Sequence, residues 1–262
     1  MTANPVPSSS ASTTSAIARA NERLADRATA LIANRWYVAG MGRDFSRNLC
    51  ERTVLGRSLV FYRCNDGKPV ALQNRCPHRS FPLVYGKLEG DVLRCGYHGI
   101  AFNPTGSCAE IPSQNVIPRT TCVPSYPLAE RGPFVWIWMG DPALADESNI
   151  PDTSWLSSPE WAYSADYLGF KGGYVSLHEN LLDLTHFTYL HPTTLGTPEY
   201  ARTPFDVEIQ SDTVRISRLV AECDVPPIYK HTGIQGKMSR HTISEFRGPA
   251  IHHASAVMSD LA

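Results

Sequence analysis

Short runs of apolar and β-branched residues occupy positions 58–63, 70–74, 92–95 and 134–139, each closed by Gly, Pro, Asn or Asp. That pattern predicts short strands joined by tight turns, hence a small antiparallel sheet domain. In the last run Val135, Ile137 and Met139 alternate with Phe134, Trp136 and Trp138, so both faces are apolar. Such a strand belongs inside a core, and its aromatics are expected to pack rather than to bind. Upstream, positions 17–32 follow a helical period, with Ile17, Leu24, Ala28, Leu31 and Ile32 near one stripe. Turn residues from 141 to 152 interrupt the strand pattern and read as a linker. Beyond it come an aromatic segment at 161–174, a helix over 177–190, and strand-like stretches at 206–210, 214–221 and 239–246. The ending around His252 and His253 has no clear period. The expected fold is α+β: a disordered tail at 1–22, a small antiparallel β domain at 23–145, and an incomplete sheet-plus-helix domain at 146–262.

A content of 42% hydrophobic residues over 262 positions suffices for two cores. The formal net charge of -1 provides no basic footprint, so nucleic acid is not an expected partner. The longest apolar run is about one strand long, far short of a membrane span. The Ser/Thr/Ala/Pro-rich start carries no apolar core of a secretory signal, so a cytoplasmic location is expected.

Chemistry enters at Cys76-Pro-His78, followed after sixteen residues by Cys95-Gly-Tyr-His98. Zinc fingers usually pair like with like, as CxxC followed by HxxxH. Here each short loop contributes one Cys and one His, which suits a [2Fe-2S] cluster with two thiolates on one iron and two imidazoles on the other. Pro77, Gly96 and Gly99 suit tight turns whose N–H groups can point at sulfur, and Gly90-Asp91 reads as a turn between the loops. The other five cysteines, Cys50, Cys64, Cys108, Cys122 and Cys223, show no framework spacing and are expected to be free thiols.

A second signal lies in the stretch from Glu179 to His191, where His186 and His191 are five residues apart, with Asp183 three residues before His186 and Asn180 before that. Non-haem Fe(II) oxygenases use two His and one carboxylate on one face of the metal, and two of the three could be here. On a straight helix the two imidazoles would stand about 140° apart. Pro192 disfavours helical dihedrals at His191, so the helix is expected to end or widen around Tyr189 and Leu190 and let His191 swing back. Asp183 is expected to orient the His186 ring and relay between centres rather than bind iron. Tyr167, Phe170, Tyr174, Tyr189 and Phe205 could line an aromatic pocket, although such residues more often fill a core.

CPHR and CGYHG together resemble the Rieske family, and residues 36–204 resemble the Rieske non-haem iron aromatic-ring oxygenases. NLLDLTHFTYLHPTTLG and VWIWMGDP look like the vanillate O-demethylase type of oxygenase component. The resemblance implies a Rieske domain and a catalytic domain in a trimeric ring, with a separate flavin and iron-sulfur reductase passing on electrons from NADH. It further implies a cluster on Cys76, His78, Cys95 and His98 feeding a mononuclear Fe(II) on His186 and His191 in the neighbouring subunit, bridged by Asp183. The implied reaction is O₂-dependent hydroxylation or O-demethylation of a small aromatic substrate. Members carry a third ligand, Asp or Glu, far downstream, and no counterpart is evident here, so the chain reads as a truncated form. Asp206, Glu208, Asp212, Glu222, Asp224, Glu245 and Asp260 offer the right group, but none has a supporting context. A Rieske electron-transfer protein and a truncated, non-catalytic paralogue stay open as alternatives.

Overall fold

The computed structural model describes residues 31–169 and 171–261, which fall into two compact units, 31–167 and 168–261. The tail expected at 1–22 and nearly all of the helix expected at 17–32 lie outside the described residues.

The first unit is built around the antiparallel sheet of β2 (Cys50–Val54), β3 (Arg57–Arg63) and β4 (Pro69–Gln73). In β3 both faces are buried. Leu59 and Phe61 join Tyr37, Val135, Ile137 and Met139 in one core, whereas Val60 and Tyr62 join Leu72, Leu83, Leu93 and Phe102 in another. The first core is closed by β1 (Arg35–Met41) and β10 (Phe134–Met139), paired with β9 (Leu128–Arg131). The second is closed by the meander β5 (Lys87–Glu89), β6 (Val92–Arg94), β7 (Ala101–Phe102) and β8 (Cys108–Glu110). Trp136 and Trp138, on the other face of β10, are buried as the two-sided pattern required, with Trp138 edge-on to Trp36.

This unit runs past the boundary expected at 146. Trp36 Nε1 donates to Asp146 O at 2.8 Å, Arg131 meets Glu147 at 3.0 Å, and the Tyr167 hydroxyl donates to the Asp44 carboxylate. These polar ties between distant positions hold the turn-rich segment to the sheet and leave no trace in the period of the sequence.

In the second unit β11 (Asp206–Gln210), β12 (Thr213–Asp224), β13 (Lys237–Arg247) and β14 (Ile251–Asp260) form an antiparallel meander. The last strand corrects the expectation of a patternless ending, and Asp260 pairs with Met238 at its end. One sheet face carries Arg218, Val220, Met238, Arg240, Thr242 and Ser244, all buried. Against it pack α1 (Tyr174–Leu182), a 3-10 turn at Leu184–His186, α2 (Phe187–Leu190) and α3 (Pro198–Arg202). Leu184, Tyr200, Val220, Cys223 and Met238 make the small core between the layers. The single helix expected over 177–190 is therefore interrupted, and its main break lies at Asp183. There φ -86 and ψ 81 leave the helical region, and the carboxylate accepts from the Thr185 N–H at 3.1 Å to start the next turn. Among the described residues no helix is long and apolar enough to cross a membrane.

Candidate metal centres

The two Cys-His loops share one backbone plan. In the first, Cys76 N–H donates to Phe81 O at 2.9 Å and Ser80 N–H returns to Cys76 O at 2.9 Å. In the second, Cys95 N–H donates to Ile100 O at 2.8 Å and Gly99 N–H returns to Cys95 O at 3.1 Å. Each loop closes through a left-handed residue four places after its cysteine, Ser80 at φ 56 and Gly99 at φ 73. Close approach fixes the surroundings: a β-carbon on Gly96 would stand 2.6 Å from Tyr85 O, and one on Gly86 2.2 Å from Arg94 O.

This plan buries both thiols, at 2% and 3% exposure, and leaves His78 and His98 at the surface with ring centroids 4.7 Å apart. Burial pushes the Cys76 thiol up, with the adjacent Cys95 adding to it, while the N–H groups of His78 and Arg79 point at its sulfur and favour the thiolate. In a [2Fe-2S] cluster of this kind each iron takes only two protein ligands, two thiolates on one and two imidazoles on the other, and bridging sulfides complete it. The donor set therefore fits a [2Fe-2S] cluster with its thiolate end inside and its imidazole end outside. Beside the imidazoles opens a cleft of about 520 Å³ walled by Ile111, Pro112, Gln114, Pro118 and Thr121. This wall went unnoticed in the sequence because 111–121 has no period; its prolines are its sole signal.

In the second unit His186 and His191 come together, ring centroids 5.4 Å apart. The helix ends at Leu190 as expected, and His191 leaves it at φ -124, ψ 40. His186 Nδ1 lies 2.5 Å from the backbone carbonyl of Asp183. A carbonyl only accepts, so Nδ1 donates and Nε2 is the nitrogen left to face a metal. The orienting group is thus the Asp183 main chain; the carboxylate, expected in that role, instead caps Thr185 and is exposed. Asn180 is exposed near the end of α1. Two donors fit a mononuclear iron, and among the described residues no carboxylate joins them as a third. Asp224 pairs with Lys237 at 2.7 Å, Glu245 with Arg247 at 2.8 Å, and Asp206 and Glu208 are exposed on β11.

The aromatic candidates do not gather. Tyr167 belongs to the first unit, Phe170 lies outside the described residues, and Tyr189 is 75% exposed. Tyr174 is edge-on to His178, and Phe205 alone reaches a small cavity of about 70 Å³ beside Asp183. His252 and His253 point apart, as adjacent strand residues must. His252 turns inward, where Nε2 lies 2.7 Å from Ser244 Oγ and Nδ1 3.4 Å from His178 Nδ1.

Two buried thiols and two surface imidazoles on matched loops, followed by a second imidazole pair, define a Rieske-type protein with a non-haem iron unit. Residues 35–127 match the Rieske [2Fe-2S] domain, and residues 170–260 match the vanillate O-demethylase oxygenase C-terminal domain. The chain thus carries a Rieske [2Fe-2S] domain followed by a vanillate O-demethylase oxygenase C-terminal domain, and it is similar to the oxygenase components of Rieske monooxygenase systems. It is 43% identical over 227 residues to the iron-sulfur subunit of the toluene-4-sulfonate monooxygenase system of Comamonas testosteroni, covering 84% of this chain and 65% of that protein. It is 38% identical over 172 residues to the dicamba O-demethylase oxygenase component of Stenotrophomonas maltophilia, covering 65% of this chain and 51% of that one. The crystal structure of dicamba monooxygenase bound to 3,6-dichlorosalicylic acid superposes with a TM-score of 0.84 at 29% identity, covering 88% of this chain and 69% of that chain. The chain thus spans about two thirds or less of the length of these relatives.

Proposed function

We propose that this chain is the oxygenase component of a multi-component monooxygenase that hydroxylates or O-demethylates a small aromatic substrate. Electrons would come from NADH through a separate flavin and iron-sulfur reductase, and the working form would be a homotrimer. The coexistence of the Cys-His cradle with the His186–His191 pair carries the reading, since an electron carrier needs only the first. The relatives named for toluene-4-sulfonate, vanillate and dicamba support an aromatic acid as substrate class.

When bound, the cluster would supply single electrons and the mononuclear iron the place where O₂ reacts. Cys76 and Cys95 would hold the buried end, while His78 and His98 would offer an exposed end to an electron partner. His186, locked as the Nδ1–H tautomer, presents Nε2, and His191 stands beside it. The exposed Asp183 carboxylate, with one oxygen on Thr185 N–H, can accept a second hydrogen bond from a cluster imidazole of a neighbouring subunit, with Asn180 alongside. A carboxylate in that position would link the two imidazoles by hydrogen bonds and could take up or release a proton between them.

Iron and sulfide quantitation with electron paramagnetic resonance tests the reading. The expected result is a reduced Rieske signal plus a further high-spin iron that responds to nitric oxide and disappears in His186→Ala. A cluster signal with no such iron would favour the electron carrier. Asp183→Asn is expected to keep both metals and to slow electron delivery to the second; normal coupled turnover would exclude the bridge.

A further inference from the structure

The sheet of the second unit places two arginines beneath the turns that carry the histidines. Arg218 on β12 and Arg240 on β13 are 5% and 2% exposed, and among the described residues neither forms an ion pair with a carboxylate. Glu199 lies near enough to act on Cys223 together with Arg240, yet it makes no direct ion pair with either arginine, and its Oε2 is buried without a hydrogen bond. Burying a guanidinium without a direct ion-pair partner is costly, and an apolar side chain of similar volume would pack at lower cost.

What the arginines reach is specific. Arg218 Nη2 donates to Thr185 Oγ1 at 2.9 Å and Nη1 to Tyr200 O at 2.9 Å. Thr185 precedes His186 directly, and its own N–H is held by Asp183. Arg240 Nη1 donates to Leu195 O at 2.8 Å. Leu195 closes the turn in which the N–H groups of Thr194, Leu195 and Gly196 all donate to His191 O. The two guanidiniums meet over one ring, Tyr200, at 4.5 and 4.9 Å from its centroid. Tyr200 is 1% exposed, fixed by a 2.8 Å hydrogen bond to Thr242 and stacked on Phe187, whose own ring touches both His186 and His191. Among the described residues neither arginine Nε has a hydrogen-bond partner. The guanidiniums are thus placed for the carbonyl and hydroxyl of the histidine turns at the expense of their own full satisfaction.

We infer that Arg218 and Arg240, coupled through Tyr200, are positioning residues that set the spacing and ring orientation of His186 and His191. The planar fork is what the role needs, since it stacks and donates at once, and an ammonium on a flexible stem does neither well. The inference rests on the reading of His186 and His191 as metal ligands.

Thr185 gives the cleanest test, because Thr185→Val removes the acceptor for Arg218 at nearly constant volume and Thr185→Ser restores it. Cobalt(II) serves as probe, with its visible spectrum and affinity measured on the whole chain after far-ultraviolet circular dichroism confirms the fold. Thr185→Val and Arg240→Lys are expected to weaken cobalt binding roughly 10-fold or more and to change its spectrum, with Thr185→Ser recovering the parent values and the cluster absorption constant throughout. Nitrogen-15 NMR of the imidazoles gives a readout free of metal: His186 is expected as a single Nδ1–H tautomer in the parent and as a mixture in Thr185→Val. Failure of the parent chain to bind cobalt would remove the metal reading while the tautomer experiment still decides the positioning. Folded variants with the parent tautomer, and with parent cobalt affinity where the parent binds it, would overturn the positioning role.

Discussion

The two metal centres are built in opposite ways. The cluster cradle takes all four candidate ligands from two loops of the same backbone design, each braced by its own hydrogen bonds and by glycines that admit a close carbonyl. The histidine pair sits on one interrupted helix and depends on side chains some thirty to fifty positions downstream, Arg218 and Arg240, for its bracing. A centre held by local geometry tolerates change elsewhere in the chain; one held by distant side chains does not.

The largest expected effect breaks the first half of that contrast. Cys76→Ser or Cys95→Ser replaces a buried thiolate ligand with a hydroxyl that binds iron poorly. Complete loss of the visible cluster absorption is expected, with reduced yield of folded protein. A retained Rieske signal would show that these cysteines are not the ligands. Next in size, His191→Ala should remove the further high-spin iron while leaving the cluster spectrum at parent intensity. Parallel loss of both signals would mean that the two units do not hold their metals independently.

What could be read from the sequence follows the same division. CPH and CGYH announce their chemistry within a few residues because the loops are self-contained, and the strands flanking them were visible as two-faced apolar runs. The break at Asp183 was misplaced because Pro192 dominated the reading, although Asp183 two places before Thr185 is itself a turn signal. The strand Ile251–Asp260 was missed because small and polar residues such as Ala254, Ser255 and Ser259 blur its alternation. No local pattern reveals that Arg218 and Arg240 point inward, because inward arginines contradict the rule by which strand faces are assigned. The unit boundary was hidden for a related reason, being set by polar ties from residues such as Trp36 and Arg131 to a segment without period.

A smaller effect sharpens the likeness between the cluster loops. Ser80 and Gly99 occupy matching left-handed positions, yet Ser80 is compensated by a 2.8 Å hydrogen bond from Arg75 Nε. A β-carbon on Gly99 would gain no such bond and would stand 3.1 Å from Pro112 Cγ. Gly99→Ala is expected to cost about 1 kcal/mol or somewhat more, read from denaturant midpoints, and Ser80→Gly to stay within about 0.5 kcal/mol. Equal costs would mean that the Arg75 hydrogen bond does not offset the left-handed conformation of Ser80.

The smallest expected effect probes the second unit away from its metal ligands. Burial, followed by the charges of His178 and His253, lowers the His252 imidazole from 6.5 to about 4. The folded chain therefore refuses a proton that the unfolded chain accepts. As pH falls from about 6.5 towards 4, the unfolded state gains that proton and stability declines; below about 4 both states are protonated at this site and its contribution levels off. Above 6.5 neither state binds the proton, so the site adds no slope there. His178 is lowered for the same reason, burial, and extends the decline in the same direction. His252 is partly exposed, which keeps the effect modest. His252→Gln retains a polar group beside Ser244 and removes the titration, so its stability should fall less than that of the parent between pH 6.5 and 4 in urea unfolding. Identical slopes would show that the acid sensitivity of the unit arises elsewhere, and the contact between α1 and β14 would then be a neutral polar seam.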